Sequence, residues 1–274
     1  MSTGIRDSAV RQALARSGRP ARDRRAGCGA RDRVAIQWFA TVVLGVLLTA
    51  GATAAAQEVQ LVTFTAQDGV QVSGTLYLPD RQPAPAVLLL HMLSRNRYDW
   101  DATARQLAEA GIAALAIDFR RNGWPTSGTD SGGGGGDLSD LVLDAMAGRA
   151  YLAARPEVAS GRIGVAGASL GANVAALLAA GDEAVRSLAL LSPSLDYRGL
   201  RIETAMSRYG GRPALLLASS EDPYALRSAR ELVGVGGGQR ELRVLSGAGH
   251  GTTMLARRPD LIPAIVDWFI YTLL

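Results

Sequence analysis

The stretch Ile163-Gly164-Val165-Ala166-Gly167-Ala168-Ser169-Leu170-Gly171 decides how this chain is read. An apolar run of strand length enters Gly-x-Ser-x-Gly, and a helix-prone segment, Leu170–Ala180, follows at once. A serine at so sharp a strand-to-helix turn takes a strained backbone conformation. Glycines two residues to either side remove the side chains that would clash there. The turn lifts Oγ off the sheet and sets it at a helix N-terminus, where developing negative charge is favoured. The pattern alone is weak evidence in a chain with 32 glycines. The strand before it and the helix after it make Ser169 a candidate nucleophile.

Working outward, the same alternation extends in both directions. Val59–Thr65 and Val70–Tyr77 are β-prone runs around Asp68-Gly69, a hairpin signal. Ala86–Leu90 and Ile112–Ile117 read as buried strands, with a helix over Thr103–Ala110 between them. Leu138–Ala154 has helical spacing. Beyond the Ser169 turn come strands at Leu188–Leu191, Ala214–Ala218 and Leu242–Leu245, and helices over Tyr224–Val233 and Ile262–Leu273. A leading antiparallel hairpin followed by β-α units predicts one α/β domain over 57–274: a mostly parallel sheet with helices on both faces.

With the elbow and this alternation in view, the chain resembles the α/β-hydrolase superfamily from about Val59 to its C-terminus. It looks most similar to the compact, cap-poor branch of dienelactone-hydrolase-like and small serine esterase proteins. The resemblance implies the order Ser, acid, His along the chain, with the acid after a late strand and the histidine in the last loop. His250, in Gly247-Ala248-Gly249-His250-Gly251, is the one of two histidines that follows both Ser169 and the candidate acids. An imidazole there suits a general base near neutral pH. His91 precedes the nucleophile and is read as shaping the oxyanion loop.

Asp222, in Ser219-Ser220-Glu221-Asp222-Pro223-Tyr224, is the favoured orienting acid. Glu221 and Asp196 are its rivals, the first by a one-residue slip and the second after an earlier strand. Asp118 precedes Ser169 and is assigned to turn hydrogen bonding. The oxyanion hole is expected to combine the backbone N–H of Leu170 with that of Met92 or Leu93. The family often has His-Gly where this chain has His91-Met92, and backbone donors do not depend on side-chain type. Lidded relatives carry a large insertion where this chain has only Ser192–Pro213, so no large cap domain is expected. An open site bordered by Arg95–Trp100, Trp124 and Tyr224 follows, with Trp124 and Tyr224 as pocket candidates.

Several chemistries are excluded. The 29 basic residues are all arginine, which removes Schiff-base lysine, P-loop lysine and Ser-Lys chemistry. Two distant histidines without an acidic cluster predict no metal, and Gly132–Gly136 lacks the context of a phosphate cradle, so no cofactor is expected. The net charge is +4, yet residues 1–33 alone carry nine Arg against Asp7, Asp23 and Asp32. The remainder, with twenty Arg against 22 acids, is about neutral, so no nucleic-acid partner is predicted.

Val34–Ala56 holds no charged residue and ends in Ala-rich small-x-small sites. This is the grammar of a signal peptide spanning 1–56, with an N-terminal anchor at 34–56 as the rival reading. Either form places the body outside the cytoplasm, periplasmic or extracellular, with membrane contact only through an uncleaved segment. Cys28, the sole cysteine, lies before the apolar core, so the body has no disulfide and no thiolate nucleophile. The expected activity is exported serine hydrolysis of a small carboxylic ester or lactone. Amide or peptide cleavage is the alternative, and a catalytically inactive binding module is a third reading.

Overall fold

The computed structural model describes residues 58–120 and 138–274. The leader over 1–56, Trp124 and the glycine run at 132–136 lie outside the described residues.

Eight strands form one sheet: β1 (Glu58–Thr65), β2 (Gln71–Leu78), β3 (Ala84–Leu90), β4 (Ala113–Ile117), β5 (Val158–Ala168), β6 (Val185–Leu191), β9 (Ala214–Ser219) and β10 (Arg240–Leu245). Their spatial order is β1-β2-β4-β3-β5-β6-β9-β10. β2 pairs antiparallel with both β1 and β4, and every later pairing is parallel. The expected N-terminal hairpin and mostly parallel sheet are therefore present.

The continuous apolar runs are explained by burial on both faces. In β3, Ala86, Leu88 and Leu90 enter one core while Val87 and Leu89 enter the other. In β9, Leu216 and Ala218 face the first core and Leu215 and Leu217 the second. The period of two is hidden in the sequence because each face meets apolar side chains. Helices α2 (Asp140–Ala153), α3 (Leu170–Gly181), α4 (Glu203–Tyr209) and α5 (Pro223–Leu232) cover the first face. Helices α1 (Asp101–Glu109) and α7 (Leu261–Leu273) cover the second, with α6 (Thr253–Arg257) beside them.

The Ser192–Pro213 connection holds only the two-residue strands β7 (Asp196–Tyr197) and β8 (Leu200–Arg201) and helix α4. Among the described residues no large cap covers the sheet. A 3-10 turn at Arg97–Trp100 and helix α6 leave no sequence signal, because both are too short for periodicity to register. Trp100 is fully buried in the second core, so it packs under the site instead of bordering it.

Candidate active site

In an open α/β sheet the loops beyond the carboxyl ends of the parallel strands gather functional side chains. Ser169 follows β5 with φ 51° and ψ −114°, a backbone conformation that side chains disfavour. The flanking glycines are dictated by contact. A Cβ on Gly167 would overlap the Gly171 carbonyl, and one on Gly171 would lie 2.6 Å from the His91 carbonyl oxygen. The elbow therefore packs backbone against backbone, against α3 on one side and against the end of β3 on the other. The Ser169 N–H donates to the Leu191 carbonyl at 2.8 Å, which ties the turn to β6.

The structure brings Ser169, His250 and Asp222 together. Ser169 Oγ lies 2.7 Å from His250 Nε2, and His250 Nδ1 lies 2.5 Å from Asp222 Oδ2. With Nδ1–H facing a carboxylate, Nδ1 donates and Nε2 is left to accept the serine proton. Asp222 divides its oxygens: Oδ2 takes the imidazole, while Oδ1 accepts from Ala225 N at 3.3 Å as the N-cap of α5. Pro223 at the first helical position fixes that helix start. The three residues come from β5, β9 and the loop after β10, so the sheet sets their spacing.

The rival acids are placed differently. Glu221 accepts from Ser219 Oγ, from Ser220 Oγ at 2.9 Å and from Gly247 N at 2.8 Å. The Ser219 hydrogen bond, the Gly247 N–H and the Ser220 hydroxyl hold its carboxyl down to about 2. It fastens the histidine loop to β9 and leaves the imidazole to Asp222. Asp196 pairs with Arg201 at 2.8 Å and accepts from Gly199 N within the β7–β8 turn. Asp118 accepts from Arg97 N at 2.7 Å and pairs with its guanidinium.

His91 is fully buried at the end of β3. Its Nδ1–H donates to the Met92 carbonyl at 2.7 Å, and its Nε2 accepts from Phe119 N at 3.0 Å. Burial holds its pKa below the usual histidine value against the opposing Met92 bond, so the ring is a neutral brace. The Met92 carbonyl also accepts from Arg95 N at 3.2 Å. Both bonds pin the Met92–Leu93 peptide, and in a trans peptide the Leu93 N–H lies opposite that carbonyl. Leu170 N–H belongs to the first turn of α3, where amide donors have no partner within the helix. Tyr224 lies in the first turn of α5, half exposed, with its hydroxyl donating to the Asp196 carbonyl at 3.1 Å.

Residues that sequence reading passed over complete the surroundings. Ser192 Oγ accepts from Gly251 N at 3.0 Å, and Ser219 Oγ accepts from Ala248 N at 3.2 Å. The Thr252 hydroxyl donates to Asp99, which also takes both arms of Arg95 at 2.8 and 2.7 Å. Burial raises the Asp99 carboxyl, yet the hydrogen bonds and charge of Arg95 and the Thr252 hydroxyl carry it below the usual range. One signal pointed to the serines: Ser192 and Ser219 end apolar runs just as Ser169 does. Among the described residues no group of three or more His, Cys, Asp or Glu is arranged to hold a metal ion.

This strand order, with a single antiparallel second strand and a nucleophile-type elbow after β5, defines an α/β-hydrolase fold. Residues 72–259 match the dienelactone hydrolase family, and the chain belongs to it. Solved structures agree on the fold. A dienelactone hydrolase from Anabaena variabilis superposes with a TM-score of 0.65 at 19% identity, over 80% of this chain and 99% of that one. An acetyl xylan esterase from Paenibacillus sp. R4 gives 0.66 at 19% identity, over 81% and 86%. A Pyrococcus furiosus esterase gives 0.63 at 20% identity, over 79% and 93%. Two Mycobacterium tuberculosis proteins carrying a provisional phosphoribosyl transferase name are 30% identical over 231 residues, which is 78% of this chain. The chain spans only 46% of their length, so that name describes longer proteins.

Proposed function

We propose that this hydrolase-family protein is an exported serine hydrolase that cleaves small carboxylic esters or lactones through an acyl-enzyme. The observation that carries the reading is the continuous hydrogen-bond relay from Ser169 Oγ through His250 to Asp222. Ser169 Oγ adds to the acyl carbon as its proton passes to His250 Nε2, and Asp222 stabilises the resulting imidazolium. Collapse of the tetrahedral intermediate breaks the bond to the leaving oxygen, which takes the proton from His250. Water, deprotonated by the same imidazole, then cleaves the acyl-serine and releases the acid.

The negative oxygen formed in each half-reaction needs donors fixed in advance. Leu170 N–H at the start of α3 is one. The pinned Met92 carbonyl favours the Leu93 amide over that of Met92 as the second. No cofactor or metal enters these steps. Tyr224, half exposed beside Asp222 at the start of α5, is assigned to the border of the acyl or alcohol group.

Export is carried by the sequence of the leader, a basic stretch followed by the uncharged Val34–Ala56. Its test is fractionation of cells producing the full chain. Recovery of the protein in the cytosol with its leader intact refutes export. For the chemistry, the purified protein is treated with a fluorophosphonate probe and with short p-nitrophenyl esters and lactones. Labelling and turnover that vanish in Ser169→Ala are expected; their absence in the parent, or persistence in the variant, refutes the mechanism.

A further inference from the structure

We infer that Ser192 is a positioning residue, a buried hydroxyl that sets the aim of the His250 imidazole. The inference rests on the serine-hydrolase reading for its kinetic consequence and on geometry alone for its structural one.

The His250 side chain is 45% exposed, so packing cannot hold the ring by itself. Asp222 and Ser169 engage its two nitrogens, and the point from which the ring reaches them is set by the backbone that carries it. That backbone is the His250–Gly251 peptide, and both of its poles are held. The His250 carbonyl accepts from Thr253 N at 3.2 Å and from the Thr253 hydroxyl. The Gly251 N–H donates to Ser192 Oγ at 3.0 Å. Holding a peptide plane at both poles places its Cα atoms and narrows the rotation left to His250, and so narrows the directions its side chain can take. The Thr253 bonds are local to the loop and would travel with it. Among the described residues the Ser192 bond alone ties this peptide to the sheet.

Ser192 is suited to that task by where it sits. It follows β6, the strand between the one that ends in Ser169 and the one that leads to Asp222. Its neighbour Leu191 accepts the Ser169 N–H at 2.8 Å, and Ser192 N donates to the Leu217 carbonyl of β9 at 2.8 Å. The hydroxyl is thus referenced to the nucleophile on one side and to the acid strand on the other. It is fully buried, and its own proton points to Met254 Sδ at 3.4 Å, leaving a lone pair for Gly251. The residue holds φ at +50°, a left-handed conformation that disfavours any residue but glycine. A serine kept there in place of glycine supplies the one thing glycine lacks, the hydroxyl.

The test compares the full-length parent with Ser192→Gly and Ser192→Ala. Glycine removes the hydroxyl and relieves the backbone, whereas alanine removes the hydroxyl and keeps the strain. A purely structural serine predicts that Ser192→Gly is as active as the parent, since its backbone is the more comfortable one. Positioning predicts that fluorophosphonate labelling and kcat both fall by roughly 10- to 100-fold in either variant, with KM within about twofold. The melting temperature of Ser192→Gly should lie at or above that of Ser192→Ala. The imidazole Nδ1–H proton resonance of His250 provides a readout independent of turnover, and should broaden or move upfield in both variants. Parent-like labelling or a parent-like resonance in Ser192→Gly overturns the inference. If the parent itself does not label, the serine-hydrolase reading fails, and the resonance still decides the role of Ser192.

Discussion

Replacing Ser169 by glycine should make the protein more stable than replacing it by alanine, while both changes abolish turnover. Ser169 holds φ at 51° and ψ at −114°. That region is open to glycine and costs a residue with a side chain about 1–3 kcal/mol. Ser169→Ala keeps the cost, because its methyl meets the same backbone atoms. Ser169→Gly releases it. Against this, glycine adds unfolded-state entropy of about 0.5–1 kcal/mol, and the lost methyl forfeits a few tenths in contacts. Both variants lose the hydrogen bond to His250 equally, so that contribution cancels from the comparison. The difference left is centred near ~1 kcal/mol in favour of glycine, or about 2–4 °C in melting temperature for a body of this size. Differential scanning calorimetry of the two variants side by side measures it directly. A Ser169→Gly protein that melts at or below Ser169→Ala would show that the elbow stores no strain, and that relief of strain is not why glycines flank this serine.

Asp222→Asn leaves the shape of the site but presents an amide to His250 Nδ1, which favours the wrong tautomer; kcat should fall about 10,000-fold with KM little changed. Steady-state kinetics on a short ester would contradict this if the loss were under tenfold. Glu221 gives a pH prediction of definite sign. Its folded value of about 2 lies below the ordinary 4.5, so its contacts stabilise fully above pH 4.5 and are lost as pH falls toward 2. In Glu221→Gln, urea midpoints followed down to that pH should decline less across this window than in the parent; equal slopes would remove Glu221 from the histidine loop. Asp144 is fully buried and takes the Arg120 guanidinium at 2.7 and 2.9 Å and its backbone N–H at 2.9 Å. Asp144→Ala leaves the guanidinium to the more exposed Asp68 alone and the Arg120 N–H without its acceptor, and should cost about 3–5 kcal/mol in denaturant unfolding. A cost below 1 kcal/mol would mean that Asp68, its other carboxylate partner at 2.5 and 3.1 Å, suffices.

Strand positions were legible in the sequence because the apolar runs are short, continuous and bounded by turns. The apolar run Ala86–Leu90 predicts a strand and occupies the end of β3, Ala84–Leu90. What the runs could not disclose was spatial order. The placement of β4 between β2 and β3 depends on a crossover that leaves no local mark. Ser169 was conspicuous because its turn needs glycines at fixed offsets. Ser192 takes nearly the same φ, but the residues around it, Leu191 and Pro193, include no glycine to announce it. Its loop position in the sequence suggests a rim residue at Trp100, but the 3-10 turn ahead of α1 rotates it into the core. A four-residue turn has too little periodicity to predict which side chain goes inward.

The adjacent pair Glu221 and Asp222 shows why a one-residue uncertainty in sequence becomes a sharp division in space. Either carboxylate was a candidate on spacing alone, since both follow the same strand. Helix α5 separates them. Asp222 is its N-cap, a position that fixes one oxygen on the Ala225 amide and turns the other out to the histidine. Glu221, one residue earlier, lies in the turn between β9 and α5, and its longer side chain turns to the Ser219 and Ser220 hydroxyls and the Gly247 amide. One carboxylate therefore bonds the imidazole and its neighbour holds the loop that brings the imidazole there. Exchanging the two residues would preserve net charge and composition and still dismantle both arrangements. Aspartate caps a helix by reaching its own N3 amide, whereas glutamate, one methylene longer, caps poorly and would carry its second oxygen past His250 Nδ1.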